Sequence, residues 1–261
     1  MAGTTDLILH ATEAGDGAPL VLLHGLFGSA RNFGTVQRQL AQQYRTIALD
    51  LRNHGASPHA RPMNYPSMAG DVIETLRQRD ALPASLVGHS MGGKVAMHVA
   101  LAQPDQVTRL VVADIAPVAY PPQFRAHIAA MQKLPLTPGL TRAAADAALS
   151  EAIPDAAVRA FLLQSLAVGE HPAWRIGLAE IRAGMRSIES WAPPPVPPYR
   201  GPTLFIAGAT SNYVLPEYRP AIRALFPAAR FVTLKHAGHW LHADNPGGFV
   251  AVIEAFLTDG A

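Results

Sequence analysis

The chain has 261 residues, 49% of them apolar and 15% charged, with a formal net charge of +2. That balance supports a large buried core and excludes wholesale disorder, and the lack of any basic run removes the footprint that nucleic acid or an anionic membrane requires. There is no cysteine, which excludes disulfides and thiolate chemistry.

In chain order, the opening MAGTTDLILHATEAGDG has neither a basic n-region nor a long apolar stretch, so it does not read as a secretory leader. No window approaches the roughly 18 apolar residues needed to span a bilayer, and the expected location is cytoplasmic. Short apolar segments with turn residues at their ends then recur at 19–25, 45–51, 84–89, 108–115, 202–208 and 229–235. Several are continuous rather than alternating runs, as strands buried on both faces of a parallel sheet require. Helix-like stretches lie between them. Residues 68–80 place Val72, Ile73 and Leu76 on one face, and 248–257 repeat the pattern. Strand alternating with helix predicts an α/β fold with a mostly parallel, doubly wound sheet.

One interval breaks that alternation. Between Pro117 and Tyr199 no convincing strand occurs. Trp174, Leu178, Ile181, Met185 and Ile188 form an apolar helical stripe, and Val158, Phe161, Leu162, Ser165 and Leu166 form another. Thr141 is a candidate N-cap for the alanine-rich stretch that follows it. Proline-bearing segments flank the interval, APVAYPP before it and the stiff connector APPPVPPYRG after it. The expected organisation is therefore a core of 1–116 and 200–261 with a cap of about four helices inserted at 117–199.

The segment LVGHSMGGKVAMH contains Gly88-His89-Ser90-Met91-Gly92, a G-x-S-x-G pattern between a predicted strand and a predicted helix. A serine on so sharp a turn presents its hydroxyl above the sheet edge, and its flanking residues must be small because the backbone folds almost onto itself. The turn also aims a helix N-terminus, with unpaired N–H groups and a partial positive charge, at any anion forming there. With this motif in place the chain resembles the α/β-hydrolase-fold serine hydrolases over nearly its whole length. LHGLFGSARNF, ALDLRNHGASP, MNYPSMAGDV, GHSMGGKVAMH and ADIAPVAYP together resemble the small-esterase branch that holds the bacterial YbfF-type esterases and the eukaryotic abhydrolase domain-containing 11 proteins. The resemblance implies an α/β-hydrolase fold with its helical cap inserted after the strand ending at Asp114.

A serine hydroxyl is a poor nucleophile near neutral pH and needs an adjacent base. His239, in KHAGHWLHADNP, stands where the superfamily carries its catalytic histidine, with Gly238 expected to give the backbone latitude to present the ring. His236, His239, His242 and Asp244 match no common zinc spacing, so no metal is expected. His242 is expected to pin the loop by a hydrogen bond, and His89 to pack or bond locally. Many relatives place the acid after the penultimate strand, but here ATSNYV carries no carboxylate. Asp114 is the candidate acid by analogy with the superfamily's sheet order. The alternative is a structural Asp114, with Ser211 or Asn212 orienting the histidine. Asp50 is a weaker candidate, read as fixing its own turn. So is Asp71, read as lying on an outward helix face.

Acyl transfer also needs two N–H donors for the tetrahedral oxygen. Met91 follows the nucleophile and supplies one. By the resemblance Leu26 supplies the other, with Phe27 the off-by-one alternative. Phe27 and His89 are further candidates for the substrate pocket, and Arg52, Asn53 and His54 are read as bracing a loop at its rim. The implied activity is carboxylester hydrolysis through Ser90, His239 and Asp114 without a cofactor, on a small acyl ester or thioester. Acyl-CoA thioesterase, other acyl transfer, a lyase or a binding module on the same scaffold are the alternatives. The sequence leaves the oligomeric state open.

Overall fold

A computed structural model describes residues 6–259 of the chain, so the first five residues of the stretch read above for a leader lie outside it. Seven strands form one sheet: β1 (Ala11–Ala14), β2 (Pro19–Leu23), β3 (Arg45–Leu49), β4 (Ala84–His89), β5 (Val107–Ala113), β8 (Thr203–Gly208) and β9 (Ala229–Leu234). Two further strands, β6 (Leu166–Ala167) and β7 (Ala173–Trp174), pair with each other apart from it, inside the interval read as strandless; at two residues each they are too short to leave a pattern. The large sheet runs β1-β3-β2-β4-β5-β8-β9. Only β1 is antiparallel to its neighbour. This is the α/β-hydrolase fold.

The continuous apolar runs are explained by cover on both faces. Val21 and Leu23 of β2 point into one core, with Val72 and Leu76 of α2 (Tyr65–Arg77) and Val95 of α3 (Met91–Ala102). Leu20 and Leu22 point into the other, with Val36 and Leu40 of α1 (Gly34–Leu40) and Phe249 and Ile253 of α10 (Pro246–Thr258). Each such side chain, fully buried, contributes about 1.5–3 kcal/mol. Because α1 and α3 lie on opposite faces, the loops leaving the adjacent strands β2 and β4 diverge. That divergence opens the crevice at the carboxyl ends of the strands where doubly wound sheets bind ligands.

Between β5 and β8 lie α4 (Arg125–Lys133), α5 (Arg142–Leu149), α6 (Ala156–Leu163) and α7 (Leu178–Glu189). Thr141 caps α5 by accepting the Ala144 N–H at 3.1 Å. The stripe on α7 buries Leu178, Ile181, Met185 and Ile188 but does not extend to Trp174, which lies in β7 and donates its indole N–H to the Met131 carbonyl. Likewise α6 stops at Leu163, and Ser165 turns away to donate to the Phe27 carbonyl. The remaining helices are α8 (Arg219–Leu225), packed by Ile222, and the short α9 (Leu241–Asp244). No helix among the described residues is long and apolar enough to cross a membrane.

Candidate active site

The turn at β4–α3 has the strain its glycines implied. Ser90 adopts φ 52°, ψ −118°, outside the regions open to most side chains. A Cβ on Gly88 would stand 2.3 Å from the Gly92 carbonyl oxygen, and one on Gly92 would stand 2.3 Å from that of Leu23. No side chain fits at either. The Ser90 N–H donates to the Ala113 carbonyl at 2.9 Å, tying the turn to the end of β5.

The residue just past the end of β5 is Asp114, also at positive φ (51°) and fully buried. Its Oδ1 accepts the Gly208 N–H at 2.9 Å, and its Oδ2 accepts the Ser211 hydroxyl. The same Oδ2 lies 2.8 Å from Nδ1 of His239, whose Nε2 lies 3.1 Å from the Ser90 hydroxyl oxygen. The structure thus brings Ser90, His239 and Asp114 into one hydrogen-bonded chain. Ser211 bonds the carboxylate rather than the imidazole, so it does not replace Asp114 beside the ring.

Further groups hold the imidazole. His89 donates from Nε2 to the His239 carbonyl at 2.7 Å, and burial pushes the His89 pKa well below its ordinary value, which keeps the ring a neutral donor. The Tyr213 ring stacks on His239 at 4.0 Å between centroids, and the Tyr213 carbonyl accepts the Tyr120 hydroxyl at 2.6 Å. Neither tyrosine stood out in the sequence, because stacking across distant loops leaves no spacing to read.

Two expectations about this loop are corrected. The glycine that must lack a side chain is Gly208, where a Cβ would stand 2.1 Å from the Gly238 carbonyl oxygen, while Gly238 faces nothing nearer than 3.4 Å. His242 does not pin the loop by a hydrogen bond. Its Nδ1 is buried without a partner among the described residues, and its ring packs on Phe33 and His89 at 5.0 and 4.8 Å. Burial pushes its pKa down to about 4.

The loop after β2 is fixed from below by two buried histidines. His24 Nε2 accepts the Leu51 N–H at 3.0 Å, and its Nδ1 donates to the Gly25 carbonyl at 2.8 Å. His54 Nε2 accepts the Phe27 N–H at 3.1 Å, while its Nδ1 donates to the Arg52 carbonyl. Burial lowers both pKa values, that of His54 to about 3, so both rings keep the neutral form this bonding needs. With the Phe27 N–H occupied, the off-by-one alternative loses its donor. The N–H groups of Leu26 and Met91 have no acceptor among the described residues.

Asp50 fixes its turn as expected, accepting the N–H groups of Ala30 at 2.7 Å and Ala56 at 2.8 Å. Asp71 does not face outward. It is fully buried and chelates the Arg52 guanidinium at 2.5 and 2.6 Å, because α2 lies beneath the loop that carries Arg52. That pair braces the rim and leaves neither residue facing Ser90.

Two hollows meet at Ser90 and share Leu26 and Phe124. The first passes beneath His239 and holds Phe27, His89, Phe161, Trp240 and His242. The second passes beside Met91 and holds Ile115, Tyr120, Met185, Ile188 and Lys94.

The model of the alpha/beta hydrolase family matches residues 20–252. Among curated proteins, the chain is similar to the sn-1-specific diacylglycerol lipase ABHD11 of Mus musculus, 42% identical over 248 residues that cover 92% of this chain and 80% of that protein. It is also similar to esterase YbfF of Escherichia coli (strain K12), 38% identical over 245 residues, 93% of this chain and 94% of the relative. Among solved structures, a marine microorganism esterase superposes with a TM-score of 0.92 at 35% identity, covering 96% of this chain and 100% of its own.

Proposed function

The chain belongs to the alpha/beta hydrolase family, and from that premise we propose that it is a serine carboxylester hydrolase acting through an acyl-enzyme on small to medium acyl esters. The observation that carries this reading is the unbroken relay from the Ser90 hydroxyl through His239 to Asp114, at 3.1 and 2.8 Å.

In this mechanism the Ser90 oxygen attacks the ester carbonyl carbon while its proton passes to His239 Nε2. Asp114 accepts from Nδ1, which fixes the tautomer and stabilises the imidazolium as it forms. The N–H groups of Met91 and Leu26 hold the tetrahedral oxyanion, each donor worth about 3–4 kcal/mol in such sites, and the N-terminus of α3 adds its partial positive charge. The carbon–oxygen bond to the alcohol then breaks, and His239 returns the proton to the departing oxygen. Water attacks the acyl-Ser90 ester with His239 again as base, releasing the carboxylic acid. His89 and Tyr213 are positioning residues for His239. The inserted helices act as the cap, and their apolar faces favour an acyl or alkyl group.

A panel of p-nitrophenyl esters and acyl-CoAs tests this reading. Wild type is expected to hydrolyse the esters, and Ser90→Ala to lose turnover by a factor of about 10⁴ or more at unchanged melting temperature. Residual turnover comparable to wild type would refute the assignment. Faster cleavage of the acyl-CoAs would move the reading to a thioesterase with the same machinery.

A further inference from the structure

Resting on the reading above, we propose that Lys94 selects acyl groups that end in a carboxylate, so that the preferred substrates are dicarboxylic half-esters. In the mechanism His239 hands its proton to the leaving alcohol, which assigns the hollow beneath His239 to that alcohol. The hollow beside Met91 is left for the acyl chain. Apart from Ser90 and the tyrosines, the polar side chains in its walls are Lys94, Gln123 and Glu189.

Lys94 is 2% exposed, yet no carboxylate among the described residues approaches its ammonium. The acid in the same hollow, Glu189, is turned to the Arg125 guanidinium at 3.1 Å. The Lys94 ammonium is held in place by the Val118 carbonyl at 2.7 Å and the Ser190 carbonyl at 3.3 Å. The rings of Tyr120, Tyr65 and Trp191 flank it with centroids at 4.9, 5.6 and 5.8 Å. An ammonium has three donors, and the third has no acceptor among the described residues. A buried cation without a counter-ion carries a desolvation cost that an apolar side chain of similar volume would avoid. Burial accordingly pushes its pKa down to about 7. A substrate carboxylate entering this hollow supplies the missing charge and the missing acceptor together.

The test compares kcat/KM for monoethyl glutarate with that for the uncharged diethyl glutarate and ethyl pentanoate, by pH-stat at neutral pH. Wild type is expected to favour the half-ester at least tenfold, Lys94→Met to bring that ratio below one, and Lys94→Arg to retain part of it. Equal or reversed preference in wild type overturns the proposal whether or not any variant folds, and so does a preference that survives Lys94→Met. A binding measurement separates this failure from failure of the hydrolase reading. In Ser90→Ala, monoethyl glutarate but not diethyl glutarate should raise the melting temperature, and the rise should vanish when Lys94→Met is added. Loss of all ester turnover with that shift intact removes the chemistry and keeps the subsite, whereas absence of the shift removes the subsite.

Discussion

The strand ends of the sheet and the helices inserted between β5 and β8 face each other across Ser90, and their backbones are built differently. In the loops that leave the strand ends, non-glycine residues accept left-handed angles at the site: Phe27 at φ 64°, Ser90 at 52° and Asp114 at 51°. In the inserted region the positive angles belong to glycines alone, Gly139 and Gly169, with nothing within 4 Å of where a Cβ would stand. The strain at the site persists because hydrogen bonds over-determine each residue: the Ser90 and Asp114 N–H groups bond Ala113 and Ile206 of neighbouring strands, and the Phe27 N–H bonds the His54 ring. The inserted helices carry no comparable strain and meet the site through apolar side chains such as Phe161 and Met185. On the proposed mechanism the contrast is a division of labour: the strained strand ends hold the reacting groups, and the unstrained walls opposite, together with Lys94 of α3, hold the substrate.

The sharpest way to break that division is Asp114→Asn. It should lower kcat by about 10³- to 10⁴-fold at similar KM, because an amide no longer fixes the His239 tautomer. Activity near wild type in stopped assays across a range of ester concentrations would place the orienting group elsewhere. A smaller effect is expected from the opposite wall. Phe161→Ala, which opens the hollow beneath His239, should raise KM about tenfold for esters of bulky alcohols and change kcat by less than threefold. A loss confined to kcat would contradict the division.

The smallest effect concerns stability rather than rate. Ser90→Gly and Ser90→Ala both remove the hydroxyl, but only glycine relaxes at φ 52°, ψ −118°. Ser90→Gly should therefore be more stable than Ser90→Ala by about 1 kcal/mol in urea unfolding, the relief of strain exceeding the added chain entropy. Equal stabilities would mean that the turn stores no strain.

Much of this contrast was legible in the residues. The six predicted strands all occur, because runs buried on both faces cannot be mistaken for amphipathic helices of ordinary length. β1 escaped notice: ATEA is four residues long, largely exposed at the sheet edge, and carries no apolar run. Trp174 was drawn into a helical stripe because its spacing continued that of α7, whereas Gly177 starts the helix only afterwards. Ser90, His239 and Asp114 were each legible from the motif or from the end of a strand. Asp71 was not, since a carboxylate on a helix reads as solvated until its guanidinium partner, 19 residues earlier, is seen beneath the same loop. Lys94 also went unremarked, because nothing local distinguishes a lysine one turn into a helix from one that reaches solvent.

The central claim is that the Ser90 hydroxyl, alone among the serines, is made nucleophilic by its bond to His239. Labelling the folded protein with a fluorophosphonate and mapping the adduct by peptide mass spectrometry tests it most directly. A single adduct on Ser90 that disappears in His239→Ala is the expected result. A folded, unlabelled wild type, or an adduct on a different serine, would contradict it.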